Sequence, residues 1–198
     1  MLPNKFFLWP YEGDSLDQAI ADLTPLFSQS GLSLWMTSEG ISPLTGDIVE
    51  FVALLCREWN VSPWWLITSA QREQSAMSNM HLDTKATVAW LGVVNADVGR
   101  TTAPGFYGVY AQVARFVETT AWLLGVEPSD KWPEYVRTRK TAPRYQLGRA
   151  LDVEKNGATI SVVPLSAGDF MQLAYTPHYD VLRVNEQIAR ERTPASFF

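Results

Sequence analysis

The run Asn60-Val61-Ser62-Pro63-Trp64-Trp65-Leu66-Ile67-Thr68-Ser69-Ala70-Gln71-Arg72-Glu73-Gln74-Ser75 decides how the rest of the chain is read. It opens with a helix-start signal. Ser62 can accept a bond from a free backbone N–H, and Pro63 fits the first helical position, where its missing N–H costs nothing. The spacing predicts a helix from residue 63 to about residue 77. Leu66, Ala70, Glu73 and Met77 share one face, so Glu73 points where the apolar stripe points. A carboxylate on such a stripe is partly desolvated, which disfavours the charged form. A carboxyl group kept protonated near neutral pH is what a general acid needs. Glycosidic bonds break when such an acid protonates the leaving oxygen while positive charge builds on the sugar ring. The competing reading is structural: a glutamate tied to a backbone N–H, to Arg72 or to another arginine nearby.

Outward from this helix the pattern stays helical. Residues 14–24 form a helix candidate on Leu16, Ile20 and Leu23, ended by Pro25. Residues 28–46, rich in Ser, Gly, Thr and Pro, read as a long loop. Ile48, Phe51, Val52, Leu55 and Trp59 then make one apolar stripe. Downstream, residues 84–91 are another helix candidate, and Gly92, Asn95, Asp97 and Gly99 mark a loop. The longest predicted helix covers residues 105–124, with Phe106, Tyr110, Val113, Val117, Ala121 and Leu124 on one stripe and Gly125 as a stop. Glu50, Glu58 and Glu118 sit off their stripes, which predicts solvated roles.

Residues 151–164 change character. Asn156-Gly157 is a type I′ hairpin signal, and residues 158–163 are rich in β-branched side chains, so a small β-hairpin is expected. Helix then returns over residues 167–174, breaks at Thr176-Pro177 and ends near residue 190. The tail 193–198 reads as loosely ordered. The expected fold is mainly α (α+β), one domain over residues 1–198. Residues 1–46 supply a helix and a loop, 47–192 the core and 193–198 the tail.

Composition narrows the function. At 198 residues the chain can bury a full core without metals or disulfides. Charged residues are 19% and apolar residues 46%, which excludes a disordered chain. The single cysteine, Cys56, excludes a disulfide framework and a multi-cysteine zinc site. His81 and His178 are too far apart in sequence to suggest a histidine-rich metal centre. A net charge of -5 argues against a nucleic-acid binder driven by bulk charge. Residues 1–10 lack the long apolar region of a signal peptide, and no apolar stretch is long enough to cross a membrane. Synthesis in the cytoplasm and no membrane insertion are therefore expected. Charge is unevenly spread. Residues 1–56 hold Lys5 as their only base, while Arg137, Arg139, Lys140, Arg144 and Arg149 cluster without an acid. That cluster is either a solvated surface or a contact for an anionic polymer.

The run 60–75 resembles the catalytic helix of lysozyme-like cell-wall hydrolases: lytic transglycosylases, goose-type lysozymes and related bacterial glucosaminidase-like domains. Two further blocks strengthen the likeness. Gly105-Phe106-Tyr107-Gly108-Val109-Tyr110-Ala111-Gln112-Val113-Ala114-Arg115-Phe116 looks like a helix of one bacterial branch that opens with Gly-Phe and carries a glutamine further on. Tyr175-Thr176-Pro177-His178 looks like that branch's late motif. The blocks occur in family order and cover residues 48 to about 190 discontinuously. One departure stands out. The branch often carries a cysteine where this chain has Gly92-Val93-Val94-Asn95-Ala96-Asp97, which fits a chain kept out of oxidising compartments.

The resemblance implies a peptidoglycan-cleaving glycosidase, with Glu73 as general acid and then base on a β-1,4 bond. Attack by the muramoyl 6-hydroxyl would give an anhydro product; attack by water would give a hydrolysed one. Asp97 either positions a water and stabilises the charged transition state, or caps a turn. Gln74 and Ser75 would bind sugar or orient the carboxylate, or are ordinary polar helix residues. Tyr107, with Trp90 and Tyr110, would stack on sugar faces, or belongs to a core. Gln112, the glutamine within the second block, would also contact substrate. Tyr175 would meet the N-acetyl group or the glutamate, and His178 is either a substrate contact or structural. Glycan strands of peptidoglycan are the expected partner of a monomer, with no cofactor and no metal. The missing leader and wall-binding module suggest a phage lysin or a virion-borne lytic domain, although a pI near 5.0 runs against the basic character of many lysins. The alternatives are an inactive lysozyme-like structural or glycan-binding module of a phage tail or secretion apparatus, and a generic helical interaction protein.

Overall fold

The computed structural model describes residues 2–28, 48–74, 77–78, 109–125, 145–175 and 181–198. It is mainly α. The helices are α1 (Leu16–Ser28), α2 (Ile48–Glu58), α3 (Pro63–Gln74), α4 (Val109–Leu123), α5 (Ala167–Tyr175) and α6 (Val181–Arg192). Strands β1 (Leu151–Lys155) and β2 (Ala158–Val162) form one antiparallel pair. Short 3-10 turns lie near the ends of the chain, at Asn4–Phe7 and Glu12–Asp14 and at Ala195–Phe197.

The short link between α2 and α3 is locally determined. Asn60 adopts the left-handed conformation (φ 51°), which asparagine tolerates better than most residues. Its N–H donates to the Arg57 carbonyl at 3.1 Å, and the Val61 N–H donates to the Cys56 carbonyl at 2.8 Å. These two bonds close the end of α2. Ser62 then starts α3 as expected, its Oγ accepting the Trp64 N–H at 3.2 Å. The Ser62 N–H donates to the Phe7 carbonyl at 2.9 Å, tying the junction to the N-terminal turn.

Helix α3 is the centre of the molecule. Every residue from Pro63 to Ala70 is buried, because α2, α4, α6 and the N-terminal turn surround its first two turns. It has no single apolar stripe there. The buried face of α2 is Ile48, Val49, Val52, Ala53 and Cys56, continued by Trp59. Phe51 and Leu55 flank it, so the stripe is rotated from the one read in the sequence. On α4, Val113, Val117, Ala121 and Leu124 are buried as expected, and Gly125 takes the left-handed stop (φ 84°). Glu118 is buried too, against the expectation of a solvated role. The cause is that α2, α3 and α5 cover more than one face of α4. Glu50 and Glu58 are exposed.

Three further expectations change. Helix α1 runs through Pro25 to Ser28. A proline costs a helix interior about 3 kcal/mol, and burying Phe27 returns about 1.5–3 kcal/mol, so packing carries the chain past it. The Ser28 hydroxyl donates to the Pro25 carbonyl at 2.9 Å. The N-terminal segment belongs to the core: Leu2, Phe6 and Phe7 are buried, and the Phe7 ring meets Trp65 edge-on at 5.3 Å. The C-terminal tail is packed rather than loose. Phe198 stacks on Phe6 at 5.4 Å under the Arg190 guanidinium, while Phe197 contacts Tyr11 and Trp64.

The hairpin forms where expected. Asn156 and Gly157 both have positive φ (52° and 75°), as a type I′ turn requires. The register pairs Leu151 with Val162 and Val153 with Ile160. Those residues form the inner face, and Val153 closes a second small core with Leu173 of α5 and Leu182 of α6. Two of the free amides at the start of helix α5 are satisfied by side chains. Ser166 Oγ accepts the Asp169 N–H at 3.1 Å, and Asn4 Oδ1 accepts the Gly168 N–H at 2.8 Å from across the chain. Among the described residues no helix is long and apolar enough to cross a membrane. The predicted helix over 84–91 and the loops over 29–46 and 92–99 lie outside the described residues.

Candidate functional site

Helix α3 carries Glu73 to the surface. Leu66, Ala70 and Met77 are buried, so three of the four positions on the predicted stripe face the core. Glu73 is the exception. Its side chain is 33% exposed, and burial falls off from Gln71 onward as the helix leaves the packing of its neighbours. The expected desolvated carboxylate on an apolar stripe is therefore not what the fold provides. Glu73 is a partly exposed carboxylate on the last turn of a helix whose first two turns are buried.

The carboxylate is held from one side. Arg72 Nε donates to Glu73 Oε1 at 3.0 Å, and Arg72 Nη2 donates to the same oxygen. Adjacent helical residues point about 100° apart and do not normally face each other. The contact needs the long arginine side chain to fold across the helix end. A third bond fixes it there: Arg72 Nη1 donates to Asn185 Oδ1 of α6 at 2.9 Å. The arginine side chain is only 9% exposed. Charge-assisted bonds of this kind are stronger than neutral ones. Among the described residues Glu73 Oε2 accepts no hydrogen bond, while Oε1 accepts two from Arg72.

Asn185 is 1% exposed and lies at the tight α3–α6 contact. Arginine only donates, so the bond to Arg72 sets the amide with Oδ1 toward it. The opposite atom, Nδ2, is buried and has no partner among the described residues. An orphaned buried donor costs about 1–3 kcal/mol. Ser69 Oγ, one turn before Glu73, is likewise buried without a partner among the described residues. On α6, Arg190 donates to Glu186 at 3.2 and 3.0 Å and holds that carboxyl below the usual carboxylate range.

The other residues nominated from the sequence fall as follows. Gln74 closes α3, Gln112 lies in the first turn of α4 and Tyr175 ends α5. Ser75, Asp97, Tyr107 and His178 lie outside the described residues. So does the basic stretch except for residues 145–149, where Arg149 is exposed. The structure joins Glu73 to Arg72, which the structural reading of the sequence named, and to Asn185, which it did not. A signal for Asn185 was present: Leu182, Asn185 and Ala189 share one helical stripe, and all three are buried. Among the described residues no group of His, Cys, Asp or Glu has the arrangement to hold a metal ion. Comparison with family models, with curated proteins and with solved structures finds no match.

Proposed function

We propose that this chain is a peptidoglycan-cleaving glycosidase, a muramidase or a lytic transglycosylase, in which Glu73 is the general acid and then the base. The observation that carries the reading is a partly exposed carboxylate on the last turn of a largely buried helix, with Oε1 gripped by Arg72 and Oε2 accepting no hydrogen bond among the described residues. The resemblance of residues 60–75 to the catalytic helix of lysozyme-like hydrolases supports it. A polymeric substrate needs an accessible acid, and a proton donor works best when its supporting contacts pre-orient it. In this reading Glu73 carries a proton on Oε2 while Oε1 stays held by Arg72, and gives that proton to the glycosidic oxygen as the bond to the anomeric carbon breaks. The carboxylate left behind is stabilised by the Arg72 cation. It then takes a proton from the attacking nucleophile, either the muramoyl 6-hydroxyl, leaving an anhydro end, or water, leaving a hydrolysed end.

The second reading is a lysozyme-like glycan-binding module without catalysis. The Arg72–Glu73 pair favours it, because such a pair also serves as plain architecture at a helix end. Turbidity loss of purified peptidoglycan separates the two, run with wild type and Glu73→Gln and with mass spectrometry of released fragments. Glutamine keeps the shape and cannot donate the proton. The glycosidase reading expects clearing by wild type and a loss of at least about 100-fold in the variant. Fragment masses then distinguish anhydro from hydrolysed ends. Equal clearing by both proteins removes Glu73 from the mechanism. Wall pull-down without clearing, with folding verified, supports the binding module.

A further inference from the structure

We propose that Asn185, acting through Arg72, is a positioning residue for the Glu73 carboxylate. The proposal rests on the glycosidase reading of Glu73. The chain of contacts is continuous: Asn185 Oδ1 on α6, the Arg72 guanidinium, then Glu73 Oε1 on α3. A guanidinium is planar, with its donors in a fixed fork. Pinning Nη1 on a buried amide therefore sets the plane of the fork, and with it the place where Oε1 is held. The carboxylate is thus oriented by a different helix from the one that carries it.

The state of Asn185 argues that the acceptor is its purpose. Its Nδ2 is buried and has no partner among the described residues. A leucine of similar size would fill the same space between α3 and α6 without that orphaned donor. What leucine cannot supply is Oδ1. A half-satisfied amide, buried at the α3–α6 contact and aimed at the arginine that grips Glu73, fits a positioning duty better than a packing one.

Steady-state kinetics on soluble peptidoglycan glycan strands test this, with wild type, Asn185→Leu, Asn185→Asp, Arg72→Lys and Glu73→Gln, each also unfolded in urea. Asn185→Leu removes the orphaned Nδ2 but also takes the acceptor from Arg72 Nη1, two opposed effects of about 1–3 kcal/mol each, so its urea midpoint should lie close to wild type. It should lose kcat on the order of 10- to 100-fold with KM within about twofold. Asn185→Asp keeps an acceptor and should recover most of the rate. Arg72→Lys keeps the charge and loses the fork, so it should show the same loss in kcat alone; it carries the test if Asn185→Leu does not fold. Wild-type kcat in Asn185→Leu, beside an inactive Glu73→Gln, overturns the positioning role and leaves the glycosidase reading standing. A marked fall in stability with kcat lowered and KM raised together in Asn185→Leu marks a merely structural residue and also overturns it. A wild type that cleaves nothing removes the glycosidase reading and this inference with it.

Discussion

Gly168→Ala sets two known effects against each other. Gly168 is the second residue of α5, where alanine favours the helix by about 0.5–1 kcal/mol. A methyl group there would stand 2.7 and 2.9 Å from Cδ2 and Cε2 of Phe7, and 3.1 Å from the Asn4 Cα. Phe7 has no room to swing aside: it is fully buried and wedged edge-on against Phe6 at 5.5 Å and Trp65 at 5.3 Å. The backbone of Asn4 is held in place by its side-chain bond to the Gly168 N–H. Forcing a methyl into such packing costs about 1–3 kcal/mol. The overlap wins, and the net expectation is a loss of about 1–2 kcal/mol. Urea unfolding measures it as a midpoint lowered by about 0.5–1 M at an m-value of about 2 kcal/mol/M. Phe7→Leu in the same background should relieve the overlap, so the double variant should lose less than the sum of the singles. A higher midpoint for Gly168→Ala alone, by the amount helix propensity supplies, would refute the close docking of the N-terminal turn on α5.

Two more expectations follow from the core. Burial raises the Cys56 thiol well above its ordinary 9.0, and burial beside Asp22 raises the Tyr11 hydroxyl above 10.0. The folded state therefore holds these protons more tightly than the unfolded chain, so their contribution is complete below about pH 9 and falls as pH rises. Cys56 alone accounts for about 1.4 kcal/mol per pH unit above that point, and urea midpoints measured from pH 8 to 10.5 should lose this slope in Cys56→Ala; a slope unchanged by the substitution refutes the assignment. Phe197→Ala, which removes the ring touching Tyr11 and Trp64, should cost about 2 kcal/mol, roughly half the value for a fully buried phenylalanine. A thermal shift equivalent to less than about 0.5 kcal/mol would return the tail to a loose end.

Much of the local structure was legible before any tertiary contact was known. Ser62-Pro63 starts α3, Gly125 stops α4 and Asn156-Gly157 turns the hairpin. Each signal is a backbone requirement met by one or two residues, so neighbours in space do not alter it. The apolar stripes were less reliable. On α2 the buried face is rotated past Phe51 and Leu55, and on α3 and α4 more than one face is covered, which is how Glu118 comes to be buried. Periodicity describes a helix with one wet side, and a helix enclosed by three or four partners has none.

The candidate site divides in the same way. The sequence by itself placed Glu73 in a helix with Arg72 beside it, because both follow from a helix start at Ser62 and 3.6 residues per turn, while the end of that helix at Gln74 came from the structure. It also determined the hairpin, the stop at Gly125 and the absence of a disulfide framework. Only the tertiary structure decided whether Glu73 was buried, because that depends on where α6 and α4 cease to cover α3. Only the tertiary structure brought Asn185 to Arg72, across 113 residues of chain. The same holds for the N-terminal turn on α5 and the C-terminal phenylalanines on Phe6 and Trp64. In each case the packing of distant segments selects what a side chain is buried against, and at the two chain ends it also decides that the side chains are buried at all.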